Sequence, residues 1–173
     1  MTDGTHHDAA VDTSFWPIAV RIGFVRLLLE EFRVAVPAAV RAEILHEDPR
    51  RPRTRFDYQD VFLEIEHELV RLPKPEPRPI AGLDPGEASV IACARAVGAI
   101  ALINERRGKR VAGALGVIAI DVAQAVVLVA AVGRLDVPTA RQLLSRIRKL
   151  SSTPREPLTE AEQLLDAKER RES

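Results

Sequence analysis

A single cysteine, Cys93, in 173 residues excludes an intramolecular disulfide and offers no thiolate cluster for zinc. Aromatic residues are scarce too, at 4%. The core must therefore be built from Ala, Val, Leu and Ile, which suits helices on a parallel sheet better than a β-sandwich. An excess of charge is also missing, because 25 Lys and Arg balance 25 Asp and Glu. Overall charge gives no attraction for nucleic acid, and any basic surface must be local. The four histidines, His6, His7, His46 and His67, lack metal-ligand spacing. His6 and His7 read as part of a loose N-terminus, residues 1–8. The first ten residues are polar and acidic, unlike a signal peptide. One stretch, residues 111–133, is long enough for a membrane span. Asp121 and Gln124 interrupt it, however, and Gly113 and Gly116 suit turns, so it reads as a helix end, a buried strand and a buried helix. The expectation is a cytoplasmic protein that does not enter the membrane.

What is present is an ordinary globular composition, 46% hydrophobic and 29% charged, at a length that can bury a sizeable core. Ala9-Ala10-Val11 is a short apolar run ending in Asp12-Thr13-Ser14, a strand feeding a helix start. Ile18, Ile22, Val25, Leu28 and Leu29 recur at helical spacing, with a break at Gly23. Residues 33–36 suit a strand, and Pro37 the first turn of a helix reaching His46. Residues 48–55 form a loop dense in Pro and Arg, 57–69 a helix, and 70–79 an extended proline-rich connection. Asp84-Pro85-Gly86-Glu87 is a helix start with Asp at N-cap, Pro at N1 and Glu at N3; that helix runs to Val97. Further strands are expected at 99–103 and 117–120, and further helices at 106–115, 122–132 and 138–150. Residues 151–157 read as a linker, and Thr159-Glu160-Ala161-Glu162 as a capping box opening a C-terminal helix. Alternating short apolar strands and helices indicate a parallel sheet covered on both faces, residues 9–150.

Ligands in such sheets bind outside the carboxyl ends of the strands. Asp12 occupies one such end, and Asn104-Glu105 another. Glu43 borders the apolar stripe of its helix beside Ile44, and Glu87 precedes Val90 and Ile91 by three and four residues, so both tend toward the buried side. Each acid has a plainer role open to it. Asp12 suits a helix cap, Glu87 a capping-box partner and Glu43 a solvated edge. Together they would repel unless a cation lay between them.

Val11-Asp12-Thr13-Ser14, then Val36-Pro37 through Val40 and Glu43-Ile44, then Leu83-Asp84-Pro85-Gly86-Glu87-Ala88, then Ala101-Leu102-Ile103-Asn104-Glu105-Arg106-Arg107-Gly108 resemble the PIN-domain family in order and spacing. The branch they look most like is that of small prokaryotic PIN proteins related to VapC-type toxins. The resemblance spans residues 9–150. It implies a three-layer α/β/α fold with a short, twisted, mainly parallel sheet. It also implies an RNA-cleaving centre dependent on Mg²⁺ or Mn²⁺, an antitoxin-like protein partner and a homodimer. Carried over by motif, Asp12, Glu43 and Glu87 are metal-centre acids, and Asn104 stands where the family usually has a further Asp. An amide offers a cation only a neutral carbonyl oxygen. Glu105 and Asp121 are the candidates to supply the missing charge.

The implied reaction is metal-assisted phosphodiester hydrolysis. Ser14, Arg106, Arg107, Lys109 and Arg110 are candidates for holding substrate phosphates, with residues 50–55 a second basic run that reads as solvated surface. The Thr13 and Ser14 hydroxyls have a carboxylate or the substrate phosphate open to them as partners, and Thr13 reads more plainly as a helix-start residue. Neither basic run is interleaved with aromatics, so RNA binding would be mainly electrostatic and salt-sensitive. The alternative is a PIN-fold module, impaired by Asn104, that binds RNA or a protein without cutting. A third reading makes the apolar stripe Leu158, Ala161, Leu164 and Leu165 a docking element; packing on its own domain is the plainer use of such a stripe.

Overall fold

The computed structural model describes residues 7–47, 49–50, 55–71, 79–150 and 155–172. Residues 1–6, residues 51–54 of the second basic run, most of the proline-rich connection and residues 151–154 of the linker lie outside the described residues. The elements run β1 (His7–Val11), α1 (Trp16–Ile22), α2 (Val25–Glu31), β2 (Phe32–Ala35), α3 (Ala38–Ile44), α4 (Asp57–Ile65), α5 (Pro85–Val97), β3 (Ile100–Leu102), α6 (Arg106–Ala114), β4 (Ala119–Ile120), α7 (Val122–Ala131), α8 (Val137–Lys149) and α9 (Arg155–Glu172). The four strands pair in the order β2-β1-β3-β4, all parallel. With helices on both faces, this is the expected three-layer α/β/α arrangement.

The chain steps from β1 to β2 on one side and to β3 on the other, so the sheet's topological switch point lies between β1 and β3. That crevice is where open α/β sheets bind ligands. Val11 pairs with Leu102 in register, and the Asp12 amide donates to the Leu102 carbonyl at 3.0 Å, carrying the pairing one residue beyond β1. Asp12 and Asn104 therefore flank one crevice. Beneath them Ala9 to Val11 and Ala101 to Ile103 are fully buried, and α5 packs over β1 and β3 with α3 against it.

The helix that carries Glu43 is anchored from its far end. Gln59, buried near the start of α4, donates from Nε2 to the Ile44 and His46 carbonyls at 2.8 and 3.2 Å, satisfying the open end of α3. Its Oε1 accepts from the Phe56 amide at 2.8 Å. The start of α4 is tied to α1 by the Trp16 indole, which donates to the Tyr58 carbonyl at 2.8 Å and meets Phe62 edge-on.

Most element boundaries follow the sequence to within one residue, with five exceptions. His7 and Asp8 are strand rather than loose terminus, because β2 reaches back to Phe32 and Arg33 and Arg33 Nε lies 2.9 Å from Asp8. Pro37 stands at the N-cap of α3, and that helix stops at Ile44. The helix expected over 57–69 is α-helical only to Ile65; Glu66–Glu68 tighten into a 3₁₀ turn and Leu69 is extended. β4 keeps two of four expected residues, because the Val117 amide closes the end of α6 on the Ala112 carbonyl. Finally, Thr159 does not cap the C-terminal helix. α9 starts at Arg155, with Pro157 in its first turn where a missing amide costs nothing. Leu158, Ala161 and Leu165 are buried against α7 and α8, while Leu164 is 56% exposed. Most of the apolar stripe thus packs on its own domain.

Candidate metal centre

Local sequence places each acid at an element end. Asp12 follows β1 and is 2% exposed. Its Oδ2 accepts from the Ser14 amide at 3.0 Å and from the Ser14 hydroxyl at 2.5 Å. The same hydroxyl oxygen accepts from the Asn104 amide at 3.0 Å. Ser14 is therefore a bridge between the ends of β1 and β3, and its hydroxyl is occupied rather than directed at a substrate phosphate.

Glu87 is the third residue of α5 and completes the expected capping box. Its amide donates to Asp84 Oδ1 at 2.8 Å, and its Oε2 receives the Asp84 amide at 3.4 Å, the limit of a hydrogen bond. Its other oxygen, Oε1, is buried with no hydrogen-bond partner. Asp8 Oδ1 also lacks a formal hydrogen bond but has Arg33 Nε at 2.9 Å, so of the two it is Glu87 that has no counter-charge among the described residues. A methyl group built on Gly108 in α6 would stand 2.7 Å from Glu87 Oε1, which shows how closely α5 and α6 approach.

Glu43 joins from α3. Its Oε2 accepts from the Thr13 hydroxyl, and its carboxylate lies directly over the Cα of Gly86. Asp12, Glu43 and Glu87 are thus gathered around the start of α5 and the end of β1.

Burial dominates the electrostatics. It holds the Asp12 carboxyl above its ordinary range, against the Ser14 hydrogen bonds that pull it down, and nearby Asp84 pushes it further up. Glu87 is raised by burial first, then by Asp84, with smaller contributions from Asp12 and Glu105. Asp84, read in the sequence only as a cap, therefore lies close enough to both acids to act on their charge. The signal was the capping box itself, which sets the N-cap carboxylate beside the residue three places on.

Among the described residues, no three His, Cys, Asp or Glu side chains sit close enough to enclose a metal ion by themselves. The donor set nonetheless fits a hard divalent cation. All its donors are oxygens, one buried carboxylate oxygen has no partner among the described residues, and two acids are held above their ordinary range by burial first and then by neighbouring acids. Magnesium in particular binds through one or two carboxylates with water and phosphate completing its shell, and does not need a closed protein cage.

The two candidates for replacing the missing acid differ. Asp121 is 4% exposed and caps α7, accepting from the Gln124 amide at 2.9 Å. Lys109 Nζ lies 2.5 Å from its Oδ2 and 2.7 Å from Gln124 Oε1. Asp121 is thus already neutralised, and Lys109 is committed to it instead of to RNA. Glu105 precedes α6, is exposed, and makes no capping hydrogen bond with its side chain. Asn104 is 9% exposed. Arg106, Arg107 and Arg110 are exposed on α6, with the Arg107 guanidinium lying over Gly82 in the loop before α5.

A family model described as "DUF3368: PIN domain" matches residues 11–160. Comparison with curated proteins and with solved structures gives no significant match.

Proposed function

The chain belongs to the PIN-domain family, a nuclease fold whose members generally depend on divalent metal and commonly bind RNA, and on that premise we propose that it is a metal-dependent endoribonuclease. The observation that carries this reading is the pair of buried carboxylates at the sheet's switch point, Asp12 and Glu87, one with an oxygen that has no partner. Removing one partner of a buried charge pair is strongly destabilising, so acids kept buried without compensation call for a cation from outside.

In this mechanism Asp12, Glu43 and Glu87 would hold Mg²⁺ or Mn²⁺. When bound, the ion would polarise the scissile phosphate and stabilise charge on the leaving oxygen. Ser14 fixes one Asp12 oxygen, Oδ2, and so orients the carboxylate that would hold the cation. Asn104, held at the crevice through its backbone, presents an amide that can orient a water or a phosphate oxygen. Arg106, Arg107 and Arg110 on α6 supply local positive charge for the RNA backbone, and no aromatic platform is needed for that. A toxin-type role in the cytoplasm, with an antitoxin-like partner and a homodimeric state, rests on the resemblance of the Leu83–Ala88 and Ala101–Gly108 blocks.

A second reading has its own support. Asn104 brings no charge, and Asp121, spent on Lys109, does not replace it. The chain would then be a PIN module that binds RNA or a protein without cutting. One experiment separates the two: mixed RNA with Mn²⁺, with EDTA and Asp12→Asn controls and an Asn104→Asp variant. Cleavage lost with EDTA and with Asp12→Asn supports the ribonuclease. A silent wild type with an active Asn104→Asp supports a centre disarmed at one ligand, and silence in both rejects the ribonuclease.

A further inference from the structure

Glu43 is held by two residues that are not acids. From one side the Thr13 hydroxyl donates to Oε2. On the other the carboxylate rests on bare backbone, since a Cβ at Gly86 would stand 2.5 Å from both Oε1 and Oε2 and 2.8 Å from Cδ. Such contacts are closer than packed atoms tolerate. Gly86 has no positive φ, so backbone freedom does not require glycine there. It lies in the first turn of α5, where alanine is the better helix former. Gly113 in α6 makes the contrast, because a Cβ there meets nothing within 4 Å.

We propose that Thr13 and Gly86 are positioning residues which seat the Glu43 carboxylate for the cation, Thr13 by its hydroxyl and Gly86 by lacking a side chain. This rests on the metal-dependent function proposed above. Thr13 adjoins Asp12, so the seat fixes Glu43 relative to the end of β1, and Gly86 adjoins Glu87, so it does the same relative to α5. The group that a Cβ at Gly86 would displace is the far end of a glutamate, not backbone. Gly86→Ala should therefore move the acid and leave the fold in place.

The test is calorimetric titration of the full chain with Mn²⁺, alongside thermal melts in EDTA. Gly86→Ala and Thr13→Val are each expected to weaken Mn²⁺ binding roughly 10- to 100-fold, the range for residues that orient metal ligands. Their melting temperatures in EDTA should stay at or above that of wild type. Thr13→Ser, which keeps the hydroxyl, and Gly113→Ala should bind like wild type. Wild-type affinity in both Gly86→Ala and Thr13→Val would overturn the seat and leave the proposed function standing. A wild type that binds no Mn²⁺ would overturn both.

Discussion

Two buried acids stand at strand ends in this sheet, and they are treated in opposite ways. Asp121, after β4, has an internal lysine at 2.5 Å and a helix amide at 2.9 Å. Asp12, after β1, has a serine but no cation among the described residues, and its neighbours Asp84 and Glu87 are acids. Both are nearly inaccessible, so burial alone does not distinguish them. Compensation does. A buried charge that the chain neutralises for itself is part of the scaffold. One left uncompensated beside others of its sign is where the proposed cation would act, and among the described residues the region between β1 and β3 has that character.

The largest expected effect breaks the comparison through activity. Asp12→Asn should lower Mn²⁺-dependent RNA cleavage on the order of 10³-fold or more, whereas Asp121→Asn should keep it within about 3-fold, a difference small on the same scale. Equal losses in a cleavage assay would mean that both acids serve the chemistry. Next in size is stabilisation by the metal. Mn²⁺ at 100 times its dissociation constant should add about 2.7 kcal/mol to wild type by mass action. Denaturant melts should show the same gain in Asp121→Asn and none in Asp12→Asn.

A smaller effect, of opposite placement, is expected on the fold itself. Asp121→Ala removes a helix cap and leaves Lys109 without its carboxylate, which should cost about 2 kcal/mol in urea unfolding. The least effect is a pH dependence. The folded state holds the Asp12 carboxyl above its unfolded value, so its neutral form is favoured by folding. Its contribution is complete below the ordinary carboxylate range and is lost as pH rises through the raised value. Metal-free Asp12→Asn should therefore gain stability over wild type at neutral pH and lose that advantage in acid. A constant difference across the titration would show that burial of Asp12 has no electrostatic cost.

Much of this was legible in the residues because the signals are short. Asp84, Pro85 and Glu87 announce a helix start within four positions, and α5 runs from Pro85 to Val97 as expected. Gly23 marks the break between α1 and α2, where its φ is +76°. What was missed involves partners far apart in the chain. Thr13 reaches Glu43 across 30 positions, and the Asn104 amide reaches Ser14 across 90. A carboxylate was one partner open to the Thr13 hydroxyl, and Lys109 read as one cation in a basic run, but nothing adjacent marks Glu43 or Asp121 as the partner. The C-terminal helix start was misplaced for the opposite reason. Thr159 satisfies a local capping pattern, yet the helix already runs from Arg155 and buries Leu158, Ala161 and Leu165 on α7 and α8.

By itself the sequence determined the family and the α/β/α class and named the candidate acids, because strand alternation, capping chemistry and motif order are properties of neighbouring residues. Only the tertiary structure decided which of these acids has a cationic partner among the described residues and which has none. That outcome depends on separations of a few ångströms between helices and strands remote in the chain, and the strength of charge interactions changes steeply over such distances in a buried setting.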